Sequence, residues 1–395
     1  MTAYLNALGI MCSLGRGPDE VARQLFAGDC SSIQLATGWV PERSVSVGSV
    51  QGSLAAVPAH LQEQSTRNNQ LLLEAALQIR DEIELAIQTY GRDRIAIVLG
   101  TSTSGIEEAG RGIKHYGQHQ QFPDDFQYPQ QELSAPATFL ADWLTISGPS
   151  YVISTACTSG ARALMSAQRL LSMNLCDVVL CGGVDSLCKL TLNGFSALEA
   201  VSDERCNPFS VNRRGINIGE GAALFLMSRQ ASGTQPIALL GAGASSDAHH
   251  ISAPEPSGRG AVQAMHIALK RAGLQPHQIG YLNLHGTATP HNDAMESHAV
   301  AQVFPQGVPC SSTKPMTGHT LGAAGALEAA FCWLSLTHGN ALAPHIWDGE
   351  PDPALPALNW VTPGQTLVPA PQRCLMSNSF AFGGNNVSLI IGDAP

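Results

Sequence analysis

Apolar and polar positions along this chain repeat with two different periods. Short, wholly apolar runs such as Arg94–Gly100 (RIAIVLG) and Asp177–Asp185 (DVVLCGGVD) read as strands buried on both faces. Ala3–Met11 predicts a first strand closed by a glycine-containing turn, and Pro18–Ala27 a helix, with proline at its start and Gly28 just past its end. Gln70–Tyr90 carries Leu71, Leu72, Ala75, Leu77, Ile79 and Ile83 at helical spacing and predicts one long amphipathic helix. Ser134–Trp143 predicts a further helix, and Tyr151–Ile153 a short strand that feeds a helix from Ala161. Residues 30–60 read as loops and short strands, and 206–227 as a turn-rich stretch leading into a strand. A second alternation follows: strand Ile237–Gly241, helix Ala261–Ala272, strand Tyr281–Leu284, helix Thr320–Leu336 and a terminal strand Val387–Ile391. Two successive runs that alternate strand and helix predict an α/β protein with internal duplication, divided into 1–232 and 233–395. The polar, aromatic and glutamine-rich stretch 112–132 interrupts the first run as an ordered excursion suited to an interface.

Composition narrows the classes. The 395 residues are 44% hydrophobic and only 13% charged, which suits a large or oligomeric core. A net charge of -10 argues against wrapping nucleic acid, and an acidic partner would have to find a local basic patch. The ten cysteines are scattered, with no CxxC pair and no zinc-finger spacing, so they read as the reduced thiols of a cytoplasmic protein. The N-terminus lacks the basic region of a signal peptide, and no apolar run reaches the length of a membrane span.

The chemistry concentrates at four places. Cys157 stands between the strand Tyr151–Ile153 and the helix that follows, where a helix N-terminus favours a thiolate; its alternative is a buried structural thiol. His285 ends a strand beside Gly286. Lys314 and His319 lie on a loop before a helix of very small residues, which lets other backbone pack closely. Residues 378–386 (NSFAFGGNN) form a Gly-rich loop that opens a strand rather than a helix, so a phosphate-binding role fails. One cysteine, two histidines and a lysine on strand ends and loops point to covalent acyl chemistry, with a thiolate taking an acyl group and imidazoles acting on a second substrate.

The blocks STACTSG, HGTATPHND, SSTKPMTGHTLGAAGALE and NSFAFGGNN resemble the signatures of β-ketoacyl-acyl-carrier-protein synthases, and the resemblance extends to NPFSVNRRGINIGEGA and the N-terminal strand–turn–helix. It implies the thiolase fold, in which two βαβαβαββ halves form a five-layer αβαβα sandwich and chains associate as homodimers or with a related chain-length subunit. It implies Cys157 as the acyl-accepting nucleophile, His285 and His319 as the pair that assists decarboxylation of a malonyl unit, and Lys314 as a cation supporting His319. Glu328 resembles the family's structural acid. The amides of Cys157 and Phe382 would form the oxyanion hole, Phe382 would gate the acyl pocket, and Thr287 and Thr289 would bind the phosphopantetheine arm of acyl carrier protein. No metal or redox cofactor is called for.

Departures accompany the likeness. Ala381 stands where the family has a glycine in a mobile loop. Asn207-Pro208-Phe209 and Arg213-Arg214-Gly215 differ from the usual Arg-Pro-Phe and Arg-Asp-Gly, leaving Arg205, Arg213 and Arg214 as substitutes for the carrier contact. These changes suggest a specialised enzyme of an aryl polyene or type II polyketide pathway rather than housekeeping fatty acid synthesis. Residues 382–385 lack the second cysteine of a thiolase, and His319 argues against the initiating synthases. A non-catalytic scaffold and a cysteine hydrolase are the remaining alternatives.

Overall fold

The computed structural model describes all 395 residues. Ten strands carry the architecture. In the first half they are β1 (Ala3–Cys12), β2 (Ile95–Gly100), β3 (Ser150–Ile153), β4 (Val178–Asp185) and β5 (Gly221–Ser228). In the second half they are β6 (Ile237–Ser246), β7 (Tyr281–Asn283), β8 (Pro309–Ser311), β9 (Cys374–Phe380) and β10 (Asn385–Asp393). Their spatial orders are β3-β2-β4-β5-β1 and β8-β7-β9-β10-β6. Each half therefore places its third, second, fourth, fifth and first strands side by side. Even the sense of pairing matches: β2 runs parallel to β3 and β4, as β7 does to β8 and β9, and the last strand of each half is antiparallel to both neighbours. The duplication that the letters hide is explicit in the topology. A short antiparallel contact, Ala3 opposite Leu239 and Tyr4 opposite Ala238, joins the two halves at β1 and β6.

The helices are α1 (Pro18–Ala27), α2 (Arg67–Gln78), α3 (Arg80–Tyr90), α4 (Ile106–His119), α5 (Ala135–Leu144), α6 (Ser159–Ser172), α7 (Lys189–Ala197), α8 (Arg259–Ala272), α9 (Pro290–Val303) and α10 (Ala324–Thr337). Helices α2 and α5 cover the outer face of the first sheet; α8 and α9 cover that of the second. Between the sheets lie α6 and α10, giving five layers. Sandwiched on both sides, α10 (AGALEAAFCWLSLT) is apolar around nearly its whole circumference, as a central helix must be. No helix is long and apolar enough to cross a membrane.

The two central helices touch through missing side chains. A Cβ on Gly160 would lie 2.8 Å from the Ala326 amide nitrogen, and one on Gly325 would lie 2.8 Å from Cβ of Ala161. This contact sets how closely the start of α6 approaches the start of α10.

Some sequence expectations need correction. The predicted helix 70–90 is two helices, because Ile79 leaves helical geometry (φ -120°, ψ 26°). The turn buries both Ile79 and Ile83, while Leu77 and Leu85 face solvent. Much of the excursion 112–132 belongs to α4, where Gly112 makes room for the Phe126 ring and Tyr116, Phe122 and Phe126 stack at 4.3–4.6 Å. Strand β6 continues past Gly241, where the predicted strand stopped, to Ser246, and Gly241 and Gly243 let the backbone of α8 lie directly against it. The Gly-rich loop 378–386 is the end of β9, a tight turn and the start of β10.

Gly160→Val should therefore lower stability by about 1–3 kcal/mol through overpacking, read as an earlier urea midpoint. Gly110→Ala, on the exposed face of α4 with open space around it, should instead stabilise by about 0.5–1 kcal/mol.

Candidate active site

Cys157 sits in the turn between β3 and α6, one residue before the helix N-cap Thr158. The turn is held in an unusual shape. Ala156 has a left-handed φ of 53°, and local hydroxyls fix it: Ser159 Oγ accepts from the Thr155 amide at 2.9 Å, and Thr158 Oγ1 donates to the Thr155 carbonyl at 2.7 Å. Strain of this kind concentrates at functional turns. His319 occupies the corresponding connection of the second half, between β8 and α10. Its backbone is pinned on both sides, donating to the Asn217 carbonyl at 2.6 Å and accepting from the Gly219 amide at 2.9 Å.

The two side chains meet. His319 Nε2 lies 2.8 Å from Cys157 Sγ, and the His285 ring stands edge-on to His319 with centroids 5.3 Å apart. One ligating atom from each of the three lies within 4.8 Å of the others. That spacing could hold a metal ion, but the Lys314 ammonium acts on both imidazoles and disfavours a second cation among them. Lys314, at the start of the one-turn helix Lys314–Thr317, is fully buried. It donates to the His285 carbonyl and, at 2.5 Å, to Glu328 Oε1 on α10. A buried ion pair of this kind owes its position to having both partners, since either charge alone would be stranded.

Electrostatics here runs against the sequence expectation of a lowered thiol pKa. Burial pushes the Cys157 thiol up to about 12, and the Lys314 charge opposes this only partly. The helix that was to favour the thiolate begins beyond Cys157, and the low-dielectric surroundings win. Burial first, and then Lys314, hold His285 and His319 well below the usual imidazole range. The resting pair is a neutral thiol beside a neutral imidazole able to receive its proton at Nε2. Glu328 is raised by burial to about 6 despite Lys314.

A cavity of about 440 Å³ opens onto Cys157, His285 and His319. Thr287 and Thr289 line its side wall with their hydroxyls 2.9 Å apart, and Thr289, at the N-cap of α9, makes no side-chain capping bond. Phe382 lies in the β9–β10 turn, half-buried, with its ring 5.6 Å from that of Phe195 across the mouth. The amides of Cys157 and Phe382 donate to no other residue's carbonyl or side chain. The structure thus gathers Cys157, His285, His319, Thr287, Thr289 and Phe382 around one cavity, with Lys314 and Glu328 buried behind it. Arg213 does not fit as a carrier contact: it is largely buried in an ion pair with Asp352 at 2.6 Å, whereas Arg205 and Arg214 are exposed.

Several supporting residues escaped the sequence reading. Glu296 on α9 accepts the amides of His285 at 2.8 Å and Gly286 at 2.7 Å, fixing the turn that aims His285. Asp185 at the end of β4 accepts from Thr101, Ser102 and Thr103 and, across the halves, from the Gly322 amide at 2.5 Å. Reading Pro290 as a helix start would have revealed Asn292, Asp293 and Glu296 as an inward polar stripe.

Because the thiol is raised, iodoacetamide alkylation of Cys157, followed by peptide mass, should climb about tenfold per pH unit from pH 7 to 9. A plateau below pH 8 would overturn this description.

Comparison with known proteins agrees with the geometry. Residues 7–232 match the beta-ketoacyl synthase N-terminal domain and residues 237–346 its C-terminal domain. The mitochondrial 3-oxoacyl-[acyl-carrier-protein] synthase of Arabidopsis thaliana is 32% identical, over 98% of this chain and 92% of its own length. The 3-oxoacyl-[acyl-carrier-protein] synthase 2 of Staphylococcus aureus is 32% identical, over 82% of this chain and 83% of its own. A chain of the complex between the ketosynthase ApeO and its chain length factor ApeC from Xenorhabdus doucetiae superposes with a TM-score of 0.93 and 46% identity, covering 100% of this chain and 98% of that one. A beta-ketoacyl synthase from Burkholderia phymatum gives 0.89 and 28%, each chain covered in full. The catalytic fold, the matched domains and the full-length relatives agree, and the chain belongs to the β-ketoacyl synthase family.

Proposed function

We propose that this protein is the condensing enzyme of a type II pathway, joining an acyl group held on Cys157 to a malonyl unit delivered by acyl carrier protein. The observation that carries the reading is the 2.8 Å approach of Cys157 Sγ and His319 Nε2 at the floor of a cavity that His285 also faces. In the first half-reaction, His319 Nε2 receives the thiol proton as Sγ attacks the carrier's acyl thioester. The developing oxyanion is met by the free amides of Cys157 and Phe382, the kind of preorganised donor that contributes most to acyl transfer. The tetrahedral adduct then expels the phosphopantetheine thiolate, which takes the proton back from His319.

In the second half-reaction a malonyl thioester enters along Thr287 and Thr289. Its C–C bond breaks, CO2 leaves, and the electron pair delocalises onto the thioester oxygen, which His285 stabilises as a hydrogen-bond donor at Nε2, joined by His319 once its ring proton has moved from Nδ1 to Nε2. The enolate carbon attacks the acyl-Cys157 carbonyl; collapse expels Cys157 as a thiolate, which regains one proton from solvent through His319, and releases a β-ketoacyl carrier. The chemistry draws on this chain's side chains and backbone amides, the substrate's own carboxylate and that one solvent proton. Burial, and then Lys314, keep both imidazoles neutral at rest, so that one can receive a proton and the other can donate a hydrogen bond.

A related chain-length subunit is the favoured partner. The 46% identity to a chain of a ketosynthase/chain length factor complex supports this, as does a 27% identical ketosynthase/chain length factor from the ishigamide pathway. On this chain, β3 ends its sheet with one side unpaired, and its Tyr151, Val152 and Ile153 are only half-buried. Ile113 and Tyr116 of the 112–132 excursion, and Leu133 just beyond it, are exposed apolar groups. Such an edge calls for a covering strand.

Intact-mass analysis with acyl and malonyl carrier proteins should show an acyl adduct on wild type and none on Cys157→Ala. Condensation should appear only when the partner subunit is co-purified. No adduct from any donor would leave a scaffold, while condensation by this chain alone would remove the partner requirement. Lys314→Met should lift part of the depression on His285 and His319. The acid limb of the malonyl-decarboxylation profile should then move to higher pH; an unmoved limb would contradict Lys314's role.

A further inference from the structure

Behind the catalytic residues lies a third buried imidazole, which the mechanism above does not use. His345 belongs to no regular element, yet it is 5% exposed and its surroundings are fully specified. Its ring stacks on Trp360 with centroids 4.1 Å apart and planes 14° from parallel, with Trp347 at 5.6 Å and Phe209 at 6.0 Å completing an aromatic cage. Its amide donates to the Val361 carbonyl at 2.8 Å. Within that cage Nδ1 accepts the Ser312 amide at 3.2 Å. This tautomer puts the ring proton on Nε2, which reaches the Pro208 carbonyl only with poor geometry.

Ser312 is where the two catalytic loops meet. Strand β8 ends at Ser311, so the Ser312 amide leaves the sheet ladder while still fully buried, and it needs an acceptor from elsewhere. The Ser312 hydroxyl donates to the Gly286 carbonyl at 2.7 Å and accepts the Lys314 amide at 3.3 Å. Gly286 follows His285, and the Lys314 side chain donates to the His285 carbonyl. Space is tight: a Cβ on Gly286 would fall 2.5 Å from Ser312 and 3.0 Å from the Phe209 ring. A phenylalanine could fill the cage as well as histidine does. Only a side chain with an acceptor at the Nδ1 position can hold Ser312.

We propose that His345 is a positioning residue that fixes Ser312, and through it sets His285 and Lys314 in register for the decarboxylation half-reaction. Burial holds its imidazole near a pKa of about 3, so it serves as an acceptor throughout the working pH range. The kinetic part of this inference rests on the proposed condensing function; the structural part does not. Cys157 and His319 hang from other contacts, so acylation of Cys157 is insulated from this link.

Two variants separate acceptor from packing. His345→Phe keeps the stack on Trp360 and removes the acceptor; His345→Asn loses stacking but returns an oxygen near the Nδ1 position. Hydrogen–deuterium exchange should rise in the peptides spanning 309–319 of His345→Phe, with the rest of the protein unchanged, and return toward wild type in His345→Asn. Malonyl decarboxylation should fall by up to about a hundredfold in His345→Phe, the scale of a small misplacement of catalytic groups, and recover in part in His345→Asn. Cys157 acylation should stay within about twofold in both. Equal losses in acylation and decarboxylation, or no advantage of Asn over Phe in either measurement, would overturn the proposal. If wild type itself fails to decarboxylate, the proposed function fails, and the exchange data alone decide whether His345 holds the loop.

Discussion

The approach of α6 to α10 is the constraint on which the rest of the active site depends. Gly160 and Gly325 let the two central helices meet at a distance that no larger side chain permits. Since Cys157 precedes one helix and His319 the other, that distance determines whether sulfur and imidazole share a hydrogen bond. The two sheets pack against this helix pair, and the outer helices cover the sheets in turn. Asp185 adds a polar fastening in the same place, tying the end of β4 to the Gly322 amide just before α10.

Burial then determines the chemistry. The same apolar packing that fixes the geometry keeps the thiol and both imidazoles uncharged at rest, with the one cation, Lys314, answered by Glu328. A neutral resting site avoids leaving a naked thiolate in a low dielectric. On the proposed reading, charge arises near neutral pH when a substrate is present to receive it, and the amides of Cys157 and Phe382, free of other acceptors, are the donors for that moment. Substrate selection would then be tied to the chemistry, because a seated thioester draws out the reactivity of an otherwise neutral sulfur.

Much of this was legible in the letters, for identifiable reasons. Helix α1 is bounded as predicted because Pro18 and Gly28 each have one backbone preference, and Gly28 indeed takes φ 70°. Strands β2 and β4 are apolar on both faces because they lie between helix layers. Cys157, His285, Lys314 and His319 stood out because reactive groups flanked by small residues at strand ends have few other uses. What stayed hidden depends on tertiary contact. The continuation of β6 beyond Gly241 was missed because its glycines serve to admit α8, and the non-helical turn at Ile79 follows from what lies beneath it. Left-handed Ala156, Ala288 and Leu321 carry no local signal at all, since alanine and leucine reach that conformation only when the surroundings compel it. The direction of the Cys157 shift was misjudged for a related reason: a helix terminus is visible in a sequence, but the depth at which it is buried is not.

The matching strand orders of the two halves bear on how such a site could arise. Cys157 and His319 occupy the same connection in each half, facing one another across the paired helices. A single ancestral half meeting its own copy would have presented two identical corners at this point, able to be alike but not complementary. Encoding both halves in one chain frees the corners to diverge, one toward a cysteine and the other toward a histidine. The asymmetry that the proposed reaction requires is thus written onto two halves of matching strand order.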